Sequence, residues 1–292
     1  MNQMEYRIPA EQIASAIDLC GAEKNELGKL FFPEVQAKAE NLPEQAKELF
    51  QVMAKPDVAI GVTIKAFEHE LLINGSLFAD ASSAVYVTEV SQEALLTGMD
   101  LEGAKTGLKD LFPVSGVLSE SGGAFRIGEN GLLCLLALAD HFRRSRMEAL
   151  LAGESVKQEI EDVREAVLEP LKKAFEGGDM RWLTPFFKAS FGTLQKPDPE
   201  RGIQELMAPG IVEDNGALTS DGLRLVRSLS YADAMESLAA LSKAEEGFYT
   251  DHICFIRSAT QMWQIVQTEE FCVLSACSAQ DQNQIVERLF EV

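Results

Sequence analysis

One sequence pattern occurs twice in this chain, as GLKDLFPVSGVLSESGGAFRIGENGLLCLL (Gly107–Leu136) and as GIQELMAPGIVEDNGALTSDGLRLV (Gly202–Val226). Both copies begin with glycine, an aliphatic residue, a polar residue, an acid and leucine. Both then pass Pro and Gly to a short apolar pair, turn at a further glycine and end in a Gly-Leu helix start. A repeat constrains architecture before any site is considered. The pattern predicts a scaffold of two related halves.

The repeated element resembles the second half of a winged-helix domain. In the second copy, the aliphatic edge Gly210–Val212 is followed by a glycine turn and a helix start. In the first copy, Gly116–Leu118 and Phe125–Ile127 would form the two strands of the wing. The resemblance implies a small helical module with a two-stranded wing at 101–142 and at 200–230.

Short segments in which apolar and polar residues alternate predict an antiparallel β-meander in each half, at 57–98 and at 247–277. Asn74-Gly75 in the first is a strong hairpin signal, although the same dipeptide also occurs in loops and bulges. The gaps between the runs of the second are too short for crossover helices. Tyr231–Ala244, which precedes the second meander, is predicted to be a helix. In the first meander, four apolar residues alternate as in a half-buried strand: Val58, Ile60, Val62 and Ile64.

We therefore predict an α+β fold of two related halves with antiparallel β-meanders and winged-helix-like helical elements, related by a pseudo-twofold internal duplication. The N-terminal half is 1–150. The C-terminal half is 151–292, and its first part, 154–192, is helical. Whether the two sheets join into one is left open by the sequence.

The net charge of −20 restricts the class of partner. The chain has 26 basic and 46 acidic residues, and the acidic excess is spread over both halves. A field of this sign repels nucleic-acid phosphates and anionic lipid, and it favours solubility or a basic protein partner. Nucleic-acid binding is therefore disfavoured.

No motif for catalysis, cofactor binding or metal binding is found. The three histidines lack ligand spacing with each other or with cysteine, and no glycine-rich phosphate loop occurs. The five cysteines lack paired spacing, which is typical of reduced thiols in a cytoplasmic protein. The sequence MNQMEYRIPAEQ has no secretory signal pattern, and no apolar run is long enough to span a bilayer. These observations predict a cytoplasmic protein that is not an enzyme.

An aromatic segment is the candidate partner-binding site. It contains Trp182, Phe186 and Phe187, and Trp263 in the second meander is a further candidate. Tryptophan is enriched at binding hot spots. The alternative is that these residues pack in the core, because aromatic residues along one face of a helix are usually buried.

A cluster of three arginines, Arg143, Arg144 and Arg146, carries the alternative hypothesis of a winged-helix transcriptional regulator with a ligand-sensing or dimerising part. These residues would be its nucleic-acid contacts. Arginines near a helix end also satisfy carbonyls and the helix dipole. A homodimer is left open.

The order of helix, meander and helix in two units is similar to that of the EspG family, the cytosolic chaperones of mycobacterial type VII secretion. The segment Leu49–Asp57, LFQVMAKPD, matches that family's habit of ending a helix at Pro-Asp before the first strand. The resemblance implies an acidic, bacterial α+β protein that shields a helical export substrate. The predicted function is non-enzymatic protein binding, chaperone- or adaptor-like and secretion-associated.

Overall fold

The computed structural model describes the following residues: 4–35, 42–66, 71–90, 92–111, 123–155, 160, 162–177, 179, 181–191, 196–258, 261–268 and 270–291.

The N-terminal part of the chain consists of one strand, three helices, a four-stranded meander and a closing helix. Ala10–Gln12 forms a 3-10 turn between the first strand and the first helix. The bounds are β1 (Met4–Pro9), α1 (Ile13–Leu19), α2 (Glu26–Phe31), α3 (Glu44–Ala54), β2 (Val58–Ala66), β3 (Leu71–Ala79), β4 (Ser83–Val90), β5 (Glu93–Asp100) and α4 (Leu101–Leu111).

The C-terminal part has the same order, with five helices between its first strand and its meander. Among them, α9 begins after Thr219, whose hydroxyl accepts a hydrogen bond from the N–H of Gly222. The bounds are β6 (Phe125–Ile127), α5 (Glu129–Ala152), α6 (Val163–Glu176), α7 (Leu183–Phe191), α8 (Pro199–Met207), α9 (Ser220–Ser230), β7 (Ala232–Lys243), β8 (Phe248–Ser258), β9 (Met262–Gln267), β10 (Cys272–Ala276) and α10 (Ala279–Arg288).

The ten strands of the described residues form one antiparallel sheet, in the order β1-β5-β4-β3-β2-β7-β8-β9-β10-β6. The two halves meet where β2 pairs with β7, with Val62 beside Leu238. Outward from this pair, each half has its four meander strands in sequence order and its first strand at the edge. The α+β class is confirmed, and the two meanders join into a single sheet.

Two local predictions are corrected. Asn74-Gly75 lies inside β3 and not in a hairpin turn; the hydroxyl oxygen of Tyr86 lies 2.4 Å from where a Cβ of Gly75 would be. Tyr231–Ala244 is not a helix, because 232–243 forms β7. Strand β7 pairs with β2 on one side and with β8 on the other. Because a hydrophobic core also covers each of its two faces, its apolar pattern does not alternate.

The sequence repeat does not follow the strand order that the two halves share. Gly107 lies in α4, which comes after the first meander, whereas Gly202 lies in α8, which comes before the second. The first predicted wing falls largely on 112–122, outside the described residues, and Phe125–Ile127 pairs with β10. In the second copy, α8 and α9 flank an isolated bridge between Val212 and Leu218. The duplication and the winged-helix-like elements stay predictions.

The predicted boundary at residue 150 lies near the end of α5. Helix α5 packs against α6, α8 and α9, and β6 pairs with β10. Residues 125–152 are thus integrated with the C-terminal elements. The predicted domain division itself stays a prediction.

The two faces of the sheet are covered differently. On one face, helices α4 and α10 cover a single core that includes Val62 of β2 and Leu238 of β7. On the other face there are two cores, one beneath α1–α3 and one beneath α5–α9. The second of these positions the groove described next.

Candidate protein-binding groove

A groove of about 590 Å³ lies between the second half of α5, the end of α6 and the start of α7. Its wall is largely apolar, and its rim carries charges of both signs. We call it the α5–α7 groove. The apolar wall includes Met147, Leu151, Pro170, Ala174, Trp182 and Pro185, and the charged rim includes Arg144, Glu148, Lys173, Asp179 and Arg181.

Asp140 fixes α7 against α5 beneath this groove. Its buried carboxylate accepts hydrogen bonds from the backbone N–H of Leu183 (2.9 Å), from the backbone N–H of Thr184 (2.9 Å) and from the Thr184 hydroxyl (2.8 Å). These donors are the otherwise unpaired N–H groups of a helix start. Burial raises the pKa of the Asp140 carboxyl to about 6, although these hydrogen bonds act in the opposite direction.

Trp182 is held at the entrance by polar contacts. Its indole N–H donates to Asp179 at 3.2 Å, and the guanidinium of Arg144 lies 4.8 Å from its ring centroid. The side chain of Arg181 also donates to Asp179, and this is the main reason why the pKa of that carboxyl is lowered to about 2. The indole is half-buried, so part of it remains available to a ligand.

The other aromatic candidates lie in the core. Phe186 and Phe187 are fully buried, and Trp263 is 5% exposed. The indole of Trp263 donates to the Ser228 hydroxyl at 3.0 Å, which joins β9 to α9. For these three residues the prediction of a partner contact is corrected to core packing, because their surfaces are already covered by α5–α9 and the sheet. Of the four candidates, Trp182 alone lines the groove.

The three arginines make contacts within the protein. Arg143 donates to the carbonyl of Ala232 at 3.3 Å. Arg144 forms an ion pair with Glu169 at 3.1 Å, and the guanidinium of Arg146 lies 3.9 Å from the ring centroid of Tyr231. They hold α5 to its neighbours and do not form one exposed basic face.

Exposed leucines near the end of α5 were missed by the sequence reasoning. The exposed fraction is 87% for Leu151 and 48% for Met147, whereas the first half of the same helix is buried. The sequence did contain a signal for them, because apolar residues continue beyond the buried first half of α5 into its charged second half. Leu168 on α6 is exposed as well.

Other chemistry is limited among the residues that the structure describes. They contain no group of three or more His, Cys, Asp and Glu residues arranged to hold a metal ion. All five cysteines are free thiols, and burial raises the pKa of Cys134, Cys272 and Cys277 to about 12. Within the same described ranges, none of the helices combines the length and the apolar character that a membrane span requires.

The comparisons with known proteins leave the family open. No family model matches the sequence, and no curated protein matches it. Among solved structures, the chain is similar to the type VII secretion system chaperone EspG5 of Mycobacterium tuberculosis, solved in complex with the PE25–PPE41 dimer. The alignment covers 99% of this chain and 96% of that chain, with 10% identity and a TM-score of 0.49. This is a distant structural resemblance.

Proposed function

We propose that this protein acts without catalysis by binding another protein, and that the α5–α7 groove holds an apolar segment of that partner. The observation that carries the proposal is the exposure of Leu151 and Met147 beside the half-buried Trp182 in a groove of about 590 Å³. Exposed apolar residues that are grouped in a concave surface with a polar rim mark binding sites.

The partner segment that fits this groove is amphipathic, with basic residues beside its apolar ones. The rim cations Arg144 and Lys173 are both paired with Glu169, and Arg181 is paired with Asp179. Glu148 also lies on the rim, and the whole chain carries a net charge of −20. Basic residues of the partner would be attracted by this field, and acidic ones would be repelled.

More specifically, we propose that the protein is a chaperone or adaptor of the bacterial cytoplasm and that its role is associated with secretion. A groove that shields an apolar segment suits this role, because such a segment aggregates when it is exposed. A homodimer is compatible with the proposal. The alternative of a DNA-binding regulator is not supported by the contacts of Arg143, Arg144 and Arg146, which are directed to neighbouring elements.

The test compares partner capture by matched aspartate variants. Leu151→Asp places a charge in the groove, whereas Val90→Asp alters a residue of β4 that is 67% exposed and far from the groove in the fold. Proteins that co-purify from the native host with the wild type are identified, and the binding segment is synthesised as a peptide. Capture that survives Val90→Asp and is lost in Leu151→Asp supports the groove.

Tryptophan fluorescence then locates the peptide. Trp182 and Trp263 are the two tryptophans of the chain, so the variant Trp263→Phe reports on Trp182 alone. We expect the emission of Trp182 to shift to shorter wavelength as the peptide excludes water. Equal capture by Leu151→Asp and the wild type, or an unchanged Trp182 emission at saturating peptide, would overturn the proposal.

A further inference from the structure

The sheet ends on one side in a strand whose outer side is unpaired. Strand β1 (Met4–Pro9) is the first in the strand order, and β5 is its one neighbour among the strands that the structure describes. Such an edge presents a row of N–H and C=O groups that can pair with another strand. The opposite end of the sheet offers a shorter edge, because β6 has only three residues. We call the outer side of β1 the β1 edge.

Alternate residues of β1 direct their backbone groups outward from this edge. The N–H of Ala10 donates to the carbonyl of Gln92 at 2.9 Å, which continues the register of β1 with β5 and makes these two residues a hydrogen-bonded pair. Hydrogen-bonded and non-hydrogen-bonded pairs alternate along an antiparallel ladder. The residues whose N–H and C=O groups both point outward are therefore Glu5 and Arg7. Pro9 agrees with this phase, because its nitrogen carries no N–H and lies on the outer side.

The side chains of β1 give the strand one apolar face and one charged face. Ile8 is buried in the core beneath α1–α3, and Met4 and Tyr6 pack against that core while they remain partly exposed. Glu5 and Arg7 lie on the other face and are exposed. In either direction, the segment MEYRI is apolar, charged, aromatic, charged and apolar, with an acid at one charged position and a base at the other. A strand with this pattern is complementary to a second copy of itself.

The charges select one antiparallel register between two copies. A twofold axis at Tyr6, perpendicular to the sheet, places Glu5 of one copy opposite Arg7 of the other. Because the outward backbone groups belong to these same residues, each facing pair also exchanges main-chain hydrogen bonds in both directions. The axis places Tyr6 opposite itself and Met4 opposite Ile8, so apolar side chains meet on the face that carries α1–α3. An axis at Glu5 or at Arg7 would place like charges directly opposite each other, which is destabilising.

We propose that two copies of this chain associate through the β1 edge, antiparallel and centred on Tyr6, so that their sheets form one continuous sheet. The contact is a single short strand pair, and each copy carries a net charge of −20, so the dimer is reversible and depends on concentration. The α5–α7 groove belongs to the layer that covers β6–β10, at the other end of the sheet. The interface is therefore independent of the groove and of the proposed protein partner.

The experiment is sedimentation velocity of the full chain over a range of concentrations. We expect a shift from monomer to dimer with a Kd on the order of 10–100 μM. Arg7→Glu places glutamates at both facing positions and should weaken dimerisation at least about tenfold. Lys172→Glu makes the same change of net charge on α6, at a side chain that is 70% exposed, and should dimerise like the wild type. Leu151→Asp, in the groove, should do so as well.

Mixing two charge variants tests the register itself. Glu5→Arg places arginines at both facing positions, so on its own it should dimerise as weakly as Arg7→Glu. A mixture of the two variants restores opposite charges at every facing pair, and it should form heterodimers with about the affinity of the wild type.

Amide hydrogen exchange gives an independent measurement of the same contact. The N–H groups of Glu5 and Arg7 point outward in the monomer, so their exchange should slow as the concentration of the wild type rises. The proposal is overturned if the wild type stays monomeric, if Arg7→Glu dimerises like the wild type, or if the mixture associates no better than its components. Loss of the dimer in Leu151→Asp would also overturn it, because self-association would then use the α5–α7 groove.

Discussion

Thr184 donates two hydrogen bonds to the buried carboxylate of Asp140, one from its backbone N–H at 2.9 Å and one from its hydroxyl at 2.8 Å. The two residues are 44 positions apart in the chain. This contact fixes the start of α7 against the middle of α5. The orientation of one wall of the α5–α7 groove therefore depends on a single side chain that lies beneath it.

Removing the Thr184 hydroxyl should lower stability and loosen the groove. We expect Thr184→Val to reduce the free energy of unfolding by about 1 kcal/mol, and Asp140→Ala to reduce it by about 1–3 kcal/mol, because the second change also leaves two buried N–H groups without their acceptor. Urea denaturation measures both. Thr250→Val, at an exposed position of β8, is the control and should stay within about 0.5 kcal/mol of the wild type. Equal losses in Thr184→Val and Thr250→Val would contradict the anchoring role.

Glu236 makes stability depend on pH. It lies on β7 with 1% exposure, on the face under α4 and α10, with Gln282 as its polar neighbour. Burial raises its pKa from an ordinary value of 4.5 to about 8, so the native state binds a proton that the unfolded chain releases above about pH 4.5. The contribution of Glu236 to stability should therefore be greatest below that pH and fall as pH rises to about 8, by up to ~1.4 kcal/mol per pH unit.

The variant Glu236→Gln removes this dependence. We expect its stability advantage over the wild type to grow between about pH 4.5 and pH 8 and to be constant above that range. Urea denaturation at a series of pH values measures the difference, with the exposed Glu246→Gln as control. A difference between Glu236→Gln and the wild type that is independent of pH would show that Glu236 does not bind a proton in the native state.

Features set by local sequence were predictable. The alternation of Val58, Ile60, Val62 and Ile64 identified β2 because that strand presents an apolar face to one core and small or polar residues to the opposite face of the sheet. The β7 strand was assigned to a helix because it is buried on both faces, and an apolar pattern without regular alternation does not identify a strand. Asn74-Gly75 was assigned to a turn because the reason for Gly75, the ring of Tyr86 on the next strand, is not local.

The candidate site was less predictable, because it depends on contacts between residues that are far apart in the sequence. The α5–α7 groove is formed by residues from Asp140 to Pro185, on three helices and on the connection from α6 to α7, and its shape depends on how those helices pack. Trp182 was recognised by residue type, but burial separated it from Phe186 and Phe187.

The requirement for glycine at position 75 of β3 can be tested by comparison with Gly61 on the neighbouring strand β2. A Cβ at Gly75 would lie 2.4–2.7 Å from atoms of Tyr86, whereas a Cβ at Gly61 on β2 would meet nothing closer than 3.8 Å. We expect Gly75→Ala to cost about 1–3 kcal/mol and Gly61→Ala to cost much less. Urea denaturation of both variants measures this. The double variant Gly75→Ala/Tyr86→Ala should cost less than the sum of its single changes; strict additivity would exclude the contact with Tyr86 as the cause.

The two glycines that begin the repeated segments should respond oppositely to alanine. A Cβ at Gly107 in α4 would have no atom within 4 Å, so Gly107→Ala should stabilise the protein by about 1 kcal/mol through helix propensity alone. A Cβ at Gly202 in α8 would lie 2.4 Å from Sγ of Cys134 and 2.7 Å from the carbonyl oxygen of Asn130, so Gly202→Ala should destabilise it by about 1–3 kcal/mol as α8 is pushed away from α5. Thermal and urea unfolding of the pair measure both signs. If the two variants shifted stability in the same direction, the repeated segments would have equivalent surroundings after all, and the difference in their positions relative to the meanders would have no energetic consequence.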